Sequence, residues 1–167
     1  MKVIALNSTP LIYLARAGGL RLLTNFRAVI DSYVYEEVVL KGLKKGLRDA
    51  ELIKDQVDAG RIELVDINNS LKALSELLKI GYGEASAMML VREGHADFAI
   101  IDDKYARNVA KSYGIEVHGT LFLILMGIKR GIMGKKEAID LLARMIREGF
   151  RISPEVVVEF SRRMSGG

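Results

Sequence analysis

Ala96-Asp97-Phe98-Ala99-Ile100-Ile101-Asp102-Asp103 decides how the rest of the chain is read. Four apolar residues, Phe98 to Ile101, run directly into two carboxylates. An unbroken apolar run this short reads as a strand buried on both faces, as in the middle of a parallel sheet. In open α/β sheets, ligands bind just beyond the carboxyl ends of such strands. The two acids therefore stand where a site would be. Either can instead cap the helix expected over residues 104–113, but that leaves the second acid unexplained.

Strands and helices alternate on both sides of this run. Residues 3–6 are expected as a strand ended by Asn7. Ser8 or Thr9 then caps a helix with Pro10 at its first position, running over 11–17. A helical turn over 20–25 leads to a second strand, 28–30. Residues 33–43 have helical phase, which the basic stretch Lys41-Gly42-Leu43-Lys44-Lys45-Gly46 interrupts and 50–57 resumes. A third strand is expected over 61–65, and helices over 71–80 and 84–92 flank Gly81-Tyr82-Gly83. Beyond the helix 104–113, residues 115–117 read as a fifth strand. Thr120 opens a very apolar helix that ends near Gly131.

This alternation predicts an α/β fold, a parallel sheet with helices on both faces, over residues 1–132. Residues 133–167 are expected as a helical extension packed on the sheet layer or on another chain, within one structural domain overall. In it, 135–148 is amphipathic, with Ile139, Leu142, Met145 and Ile146 in phase, and Ser153-Pro154-Glu155 starts a last helix.

The 167 residues suffice for one domain with a sizeable core, and half of them are hydrophobic. The absence of cysteine excludes a disulfide framework and a thiolate metal site. No leader is expected, since the opening apolar residues break at Asn7-Ser8-Thr9-Pro10. The longest apolar run, 121–126, is far short of the ~20 residues that span a bilayer. A soluble, cytoplasmic protein without membrane association is the expectation. A net charge of +4 and a pI near 9.3 hint at an anionic partner. The single glutamine, Gln56, with abundant Lys, Arg, Glu and Ile, resembles hyperthermophile composition.

Glu84 is the most informative acid outside the central run. On a helix it falls in phase with Ala87, Met88 and Val91, which is the apolar stripe. Its carboxylate is therefore expected to point inward, although a first-turn Glu answering the helix dipole is the plainer alternative. Glu36 and Glu37 flank the apolar face of Val34, Tyr35, Val38 and Val39 about equally, so phase does not choose between them. Glu51, Asp55 and Asp58 read as surface charges. Asn7 with Ser8 and Thr9, Glu84, Glu36 or Glu37, and Asp102-Asp103 can thus converge at one sheet edge. Carboxylates held together repel, and one stays protonated unless a cation sits among them. Hard oxygen donors select Mg²⁺ or Mn²⁺ over zinc, and such ions commonly act on phosphates.

The strand-Asn7-Ser8-Thr9-Pro10-Leu11-Ile12-Tyr13-Leu14-Ala15 start, Val34-Tyr35-Glu36-Glu37-Val38, Gly83-Glu84-Ala85 and Ile101-Asp102-Asp103-Lys104-Tyr105-Ala106-Arg107 resemble the ordered motifs of PIN domains. Gly119-Thr120-Leu121 and the tail Gly149-Phe150-Arg151-Ile152-Ser153-Pro154 are most similar to the prokaryotic subgroup related to the VapC toxins. The resemblance runs nearly end to end. It implies a three-layer α/β/α fold with strand order 3-2-1-4-5, which sets the first and fourth strands side by side and makes Asn7 and Asp103 neighbours. It also implies a metal-dependent endoribonuclease that cuts RNA with Mg²⁺ or Mn²⁺ and pairs with an antitoxin protein. The implied catalytic and metal-binding positions are Asn7, Glu37, Glu84 and Asp103, with Asp102 as a supporting ligand or a cap. Ser8, Thr9 and Arg107 fall on the substrate side; Arg107 can equally pair with a carboxylate. Glu37 is taken over Glu36 because the family's acid directly precedes the apolar residue, here Val38.

Position 7 departs from the family, which usually has Asp there. An amide oxygen still binds a cation but brings no charge, so weaker divalent binding is expected. The alternative function is accordingly a catalytically weak or inactive member that binds RNA or an antitoxin without cutting. A phosphate-accepting receiver domain is rejected, because Asn7 and His118 occupy the places where it needs an acid and a lysine. His95 and His118 are read as structural, and Met88-Met89 as core filler. Lys41, Lys44, Lys45 and Arg48 are read as solvated charges that could meet RNA phosphates. The apolar residues 121–126 and the tail helices offer surplus hydrophobic surface, from which a homodimer is expected.

Overall fold

The computed structural model describes residues 1–67 and 71–166; Gly167, the end of the expected extension, lies outside them. Strand β1 (Val3–Leu6) leads into helix α1 (Ser8–Ala17), and a 3₁₀ turn (Leu20–Asn25) leads into β2 (Arg27–Ile30). A continuous helical stretch follows: α2 (Ser32–Tyr35), a π-helical turn (Glu36–Leu40) and α3 (Lys41–Lys44). Then come α4 (Arg48–Asp58), β3 (Ile62–Leu64), α5 (Leu71–Leu78), α6 (Tyr82–Arg92) and β4 (Phe98–Ile100). The chain ends with α7 (Lys104–Ser112), β5 (Val117–His118), α8 (Thr120–Lys129), α9 (Lys135–Arg147) and α10 (Pro154–Ser165).

All five strands are parallel in the order β3-β2-β1-β4-β5, as expected. Successive strand residues point to opposite faces, so the unbroken apolar runs feed two cores. Ile4, Leu6, Ile30, Phe98 and Ile100 face one layer, with Leu14 of α1, Ile53 of α4 and Leu123 of α8. Ala5, Val29, Ala99 and Ile101 face the other, with Ala87 and Met88 of α6 and Ala110 of α7. Leu141 and Met145 of α9 and Phe160 of α10 join the first core, so the tail shares it. Among the described residues, no helix is long and apolar enough to cross a membrane.

Two local expectations are corrected. Neither Ser8 nor Thr9 caps α1: Asn7, in an extended conformation, accepts from the Thr9 amide at 2.7 Å, and Ser8 already belongs to the helix. An amide oxygen one residue earlier reaches the free N–H groups, and Pro10 moves deeper into the first turn, where it still has no N–H to satisfy. The fifth strand begins at Val117 because Ile115 still closes α7: its amide donates to Ala110 O, and Gly114 turns the chain at φ +71.

Candidate metal centre

The register of the central strands sets the site. Leu6 lies opposite Ile100, so Asn7 and the Asp102-Asp103 pair leave the sheet at the same edge from adjacent strands. Helix α6 meets this edge through Gly83, where a Cβ would lie 3.6 Å from Ser8 Oγ and 3.9 Å from Asn7 Cβ. The third arm is the π-helical turn. Tyr33 and Tyr82 pack edge to face with centroids 5.2 Å apart and tie α2 to α6. The Tyr33 pKa is raised, first by burial and then by the charge of Glu37 one helical turn on. Glu37 is half-buried and Glu36 exposed, and both lie in the π-helical turn.

Glu84 is where the electrostatics converge. Its carboxyl is raised above the usual range by burial, helped by the charges of Asp103 and Glu37 and opposed by a hydrogen bond from its own amide. Glu84 on α6 therefore feels the acid beyond the end of β4 and the acid of the π turn. The expected inward pose is only half of the picture. The α6 stripe does face the core, through buried Ala87 and Met88. The carboxylate itself folds back over the helix start, so that a Cβ on Gly81 would fall 2.2 Å from Glu84 Oε2.

The two strand-end acids have separate tasks. Asp103 is exposed and caps α7, its Oδ2 accepting from the Ala106 amide at 2.7 Å. Asp102 is partly buried and accepts from both Thr120 N and Thr120 Oγ1. Its withdrawal from water raises its pKa, while Thr120 and Arg107 pull it back. Gly119 leaves room for this contact, since a Cβ there would lie 3.2 Å from Asp102 Oδ1. Arg107 donates to the carbonyls of Ile101 and Asp102 and so braces the end of β4. Ser8 Oγ is buried with no hydrogen-bond partner among the described residues. Tyr33, Tyr82 and Thr120 carry no role in the sequence reading; the Tyr33–Glu37 spacing of one helical turn was the available signal.

The donors present are carboxylate and amide oxygens, which suit Mg²⁺ or Mn²⁺ and not a soft metal. Both histidines stand outside the set, His95 beside Glu93 and His118 beside Glu116. Among the described residues, no three His, Cys, Asp or Glu side chains are grouped closely enough to hold an ion as they stand.

Comparison with curated proteins and with solved structures yields no match. A family model described as PIN domain matches residues 3–166. Its span takes in every strand, the acid-bearing edge and both tail helices. The chain belongs to the PIN-domain family.

Proposed function

We propose that this protein is a metal-dependent endoribonuclease of the VapC-toxin type, hydrolysing RNA phosphodiester bonds with Mg²⁺ or Mn²⁺. The observation that carries the reading is the influence of the Asp103 and Glu37 charges on Glu84 at the carboxyl edge of the sheet. Repelling carboxylates are relieved by a cation. Glu37, Glu84 and Asp103 would hold it, with the Asn7 amide oxygen beside them. When bound, such an ion supplies an activated water and charge stabilisation on a phosphate. Glu84 has to turn away from Gly81 to join the others. Asp102 anchors Thr120, and Arg107 fixes the β4 end that presents Asp103. Ser8 and Thr9 sit beside Asn7 on the substrate side. The helical extension from residue 133 is part of the same unit, and an antitoxin-like protein is the regulatory partner. A second copy would pack on the exposed Ile139 and Ile146 of α9.

Calorimetric titration with Mn²⁺, paired with cleavage of single-stranded RNA, tests the reading. Mn²⁺ binding near millimolar or tighter, lost in Glu84→Gln and Asp103→Asn together with cleavage, is expected. No binding and no cleavage would overturn it. The second reading, an RNA- or antitoxin-binding module that does not cut, is favoured by one observation: Asn7 is neutral and already occupied as the cap of α1. It predicts RNA binding without metal-dependent cleavage.

A further inference from the structure

Beside Asp102, a groove of about 400 Å³ runs between α7, the open edge of β5, α8 and α10. We infer that this groove is a binding track for single-stranded polynucleotide, in which bases stack on His118 and phosphates follow the α7 cations. The inference rests on the nuclease reading only for the choice of RNA as the polymer.

Lys104, Arg107 and Lys111 line one wall at spacings of three and seven residues, which places them along one face of α7. Lys104 and Lys111 are exposed and about 10 Å apart along the axis, a row that leads away from the neighbouring Asp103. Arg151 stands exposed on the tail side. The groove's two acids are committed: Asp102 to Thr120, and Glu159 to Arg162 and Arg163 at 3.1 and 2.9 Å. Among the described residues, Lys104, Lys111 and Arg151 have no acidic partner, so the free charge in the groove is positive.

His118 stacks on Phe122 with centroids 4.0 Å apart and an interplanar angle of 13°. Phe98 is nearly perpendicular to both, at 5.2 Å from His118 and 5.6 Å from Phe122. Being almost equidistant, Phe98 lies alongside the pair and not over the outer face of His118. A third of the His118 side chain remains exposed, and it lines the groove. A base laid there would extend an existing stack. Cations that track a backbone beside aromatic planes are the combination used for single-stranded nucleic acids. An acidic peptide would use the cations but leave the ring platform without a role.

The test is fluorescence anisotropy of a labelled, unstructured RNA of roughly ten nucleotides with the full chain in EDTA, over a salt series. Lys104→Ala/Lys111→Ala is expected to weaken binding and flatten the log K against log salt slope by about one to two. His118→Ala is expected to weaken it about tenfold, and His118→Phe to restore most of the loss. Lys135→Ala/Lys136→Ala, outside the groove, serves as the control, and circular dichroism checks each fold. If His118→Ala does not fold, the α7 pair, on an exposed helix face, decides alone. Equal loss in the control pair, or unchanged binding in the folded groove variants, overturns the inference. So do groove variants that abolish only self-association or only binding of a polyglutamate peptide. Because EDTA removes cleavage from the assay, groove-dependent binding without Mn²⁺-dependent cleavage keeps the groove and sinks the nuclease reading. Cleavage with groove-independent binding does the reverse.

Discussion

Asp102 and Thr120 are joined at two points: the carboxylate accepts from the Thr120 amide and from its hydroxyl, each at 2.7 Å. The contact fastens the end of β4 to the start of α8. Asp102, expected as a supporting ligand or a cap, thus accepts two hydrogen bonds from the start of α8.

Thr120→Val removes the hydroxyl with little change of shape and leaves a partly buried carboxylate one bond short. The expected cost is about 1–3 kcal/mol, read by urea unfolding in EDTA. Mn²⁺ affinity is expected to stay within about twofold, because Glu84 feels Asp103 and Glu37 instead of Asp102. A folded Thr120→Val that loses Mn²⁺ binding would put Asp102 among the ligands.

Gly42→Ala probes the arm that carries Glu37. A Cβ at Gly42 would lie 2.5 Å from the Ala50 Cβ, where α3 meets α4. An alanine methyl cannot rotate away, so the helices must part, at a cost of about 1–3 kcal/mol despite the better helix propensity of Ala. Urea unfolding decides; an unchanged or raised stability would show that the helices part without strain.

What the sequence made legible was whatever periodicity and strand edges control. Unbroken apolar runs such as Phe98–Ile101 announce doubly covered strands, and five strands alternating with helices leave little besides a parallel α/β sheet. The position of Asp102 and Asp103 past a strand end was equally readable. Which acid does what was not. Asp102 and Asp103 are adjacent, yet one faces Thr120 and the other caps α7, a division set by the fold of β5 and α8. Glu36 and Glu37 were indistinguishable because a regular helix was assumed, and the π turn breaks that count. Asn7 displaced Ser8 and Thr9 as the cap because only the backbone direction leaving β1 decides which side chain reaches the helix start.

Glu84 gives a pH signature. Its folded pKa is raised above the ordinary 4.5, chiefly by burial. Between that value and the raised one, the folded state keeps a proton that the unfolded state has released, so stability falls as pH rises through this window. Above the window the deficit is constant; below it the deficit vanishes. Metal-free Glu84→Gln is expected to melt higher than the natural protein at about pH 7 and level with it below about pH 4. A sharp fall in melting temperature at neutral pH, with Mn²⁺ affinity intact, would make Glu84 a structural cap.

Asn7→Asp supplies the charge that the resemblance to PIN domains implies at position 7. The exchange alters almost no volume, and the cap survives, because Asp accepts from the Thr9 amide as well as Asn does. In the metal-free protein the new charge joins Glu37, Glu84 and Asp103, and the added repulsion offsets any gain from the α1 dipole. With a divalent ion present the sign reverses. A full charge a few Å from the ion strengthens binding by at least about 1 kcal/mol, even at a well-screened effective dielectric. That is roughly fivefold or more in affinity. The expected result is tighter Mn²⁺ binding, a larger rise in melting temperature on adding Mn²⁺, and faster cleavage of single-stranded RNA if the natural protein is a weak enzyme. Were position 7 only a helix cap, the two proteins would titrate identically with Mn²⁺, and equal calorimetric affinities would remove Asn7 from the site.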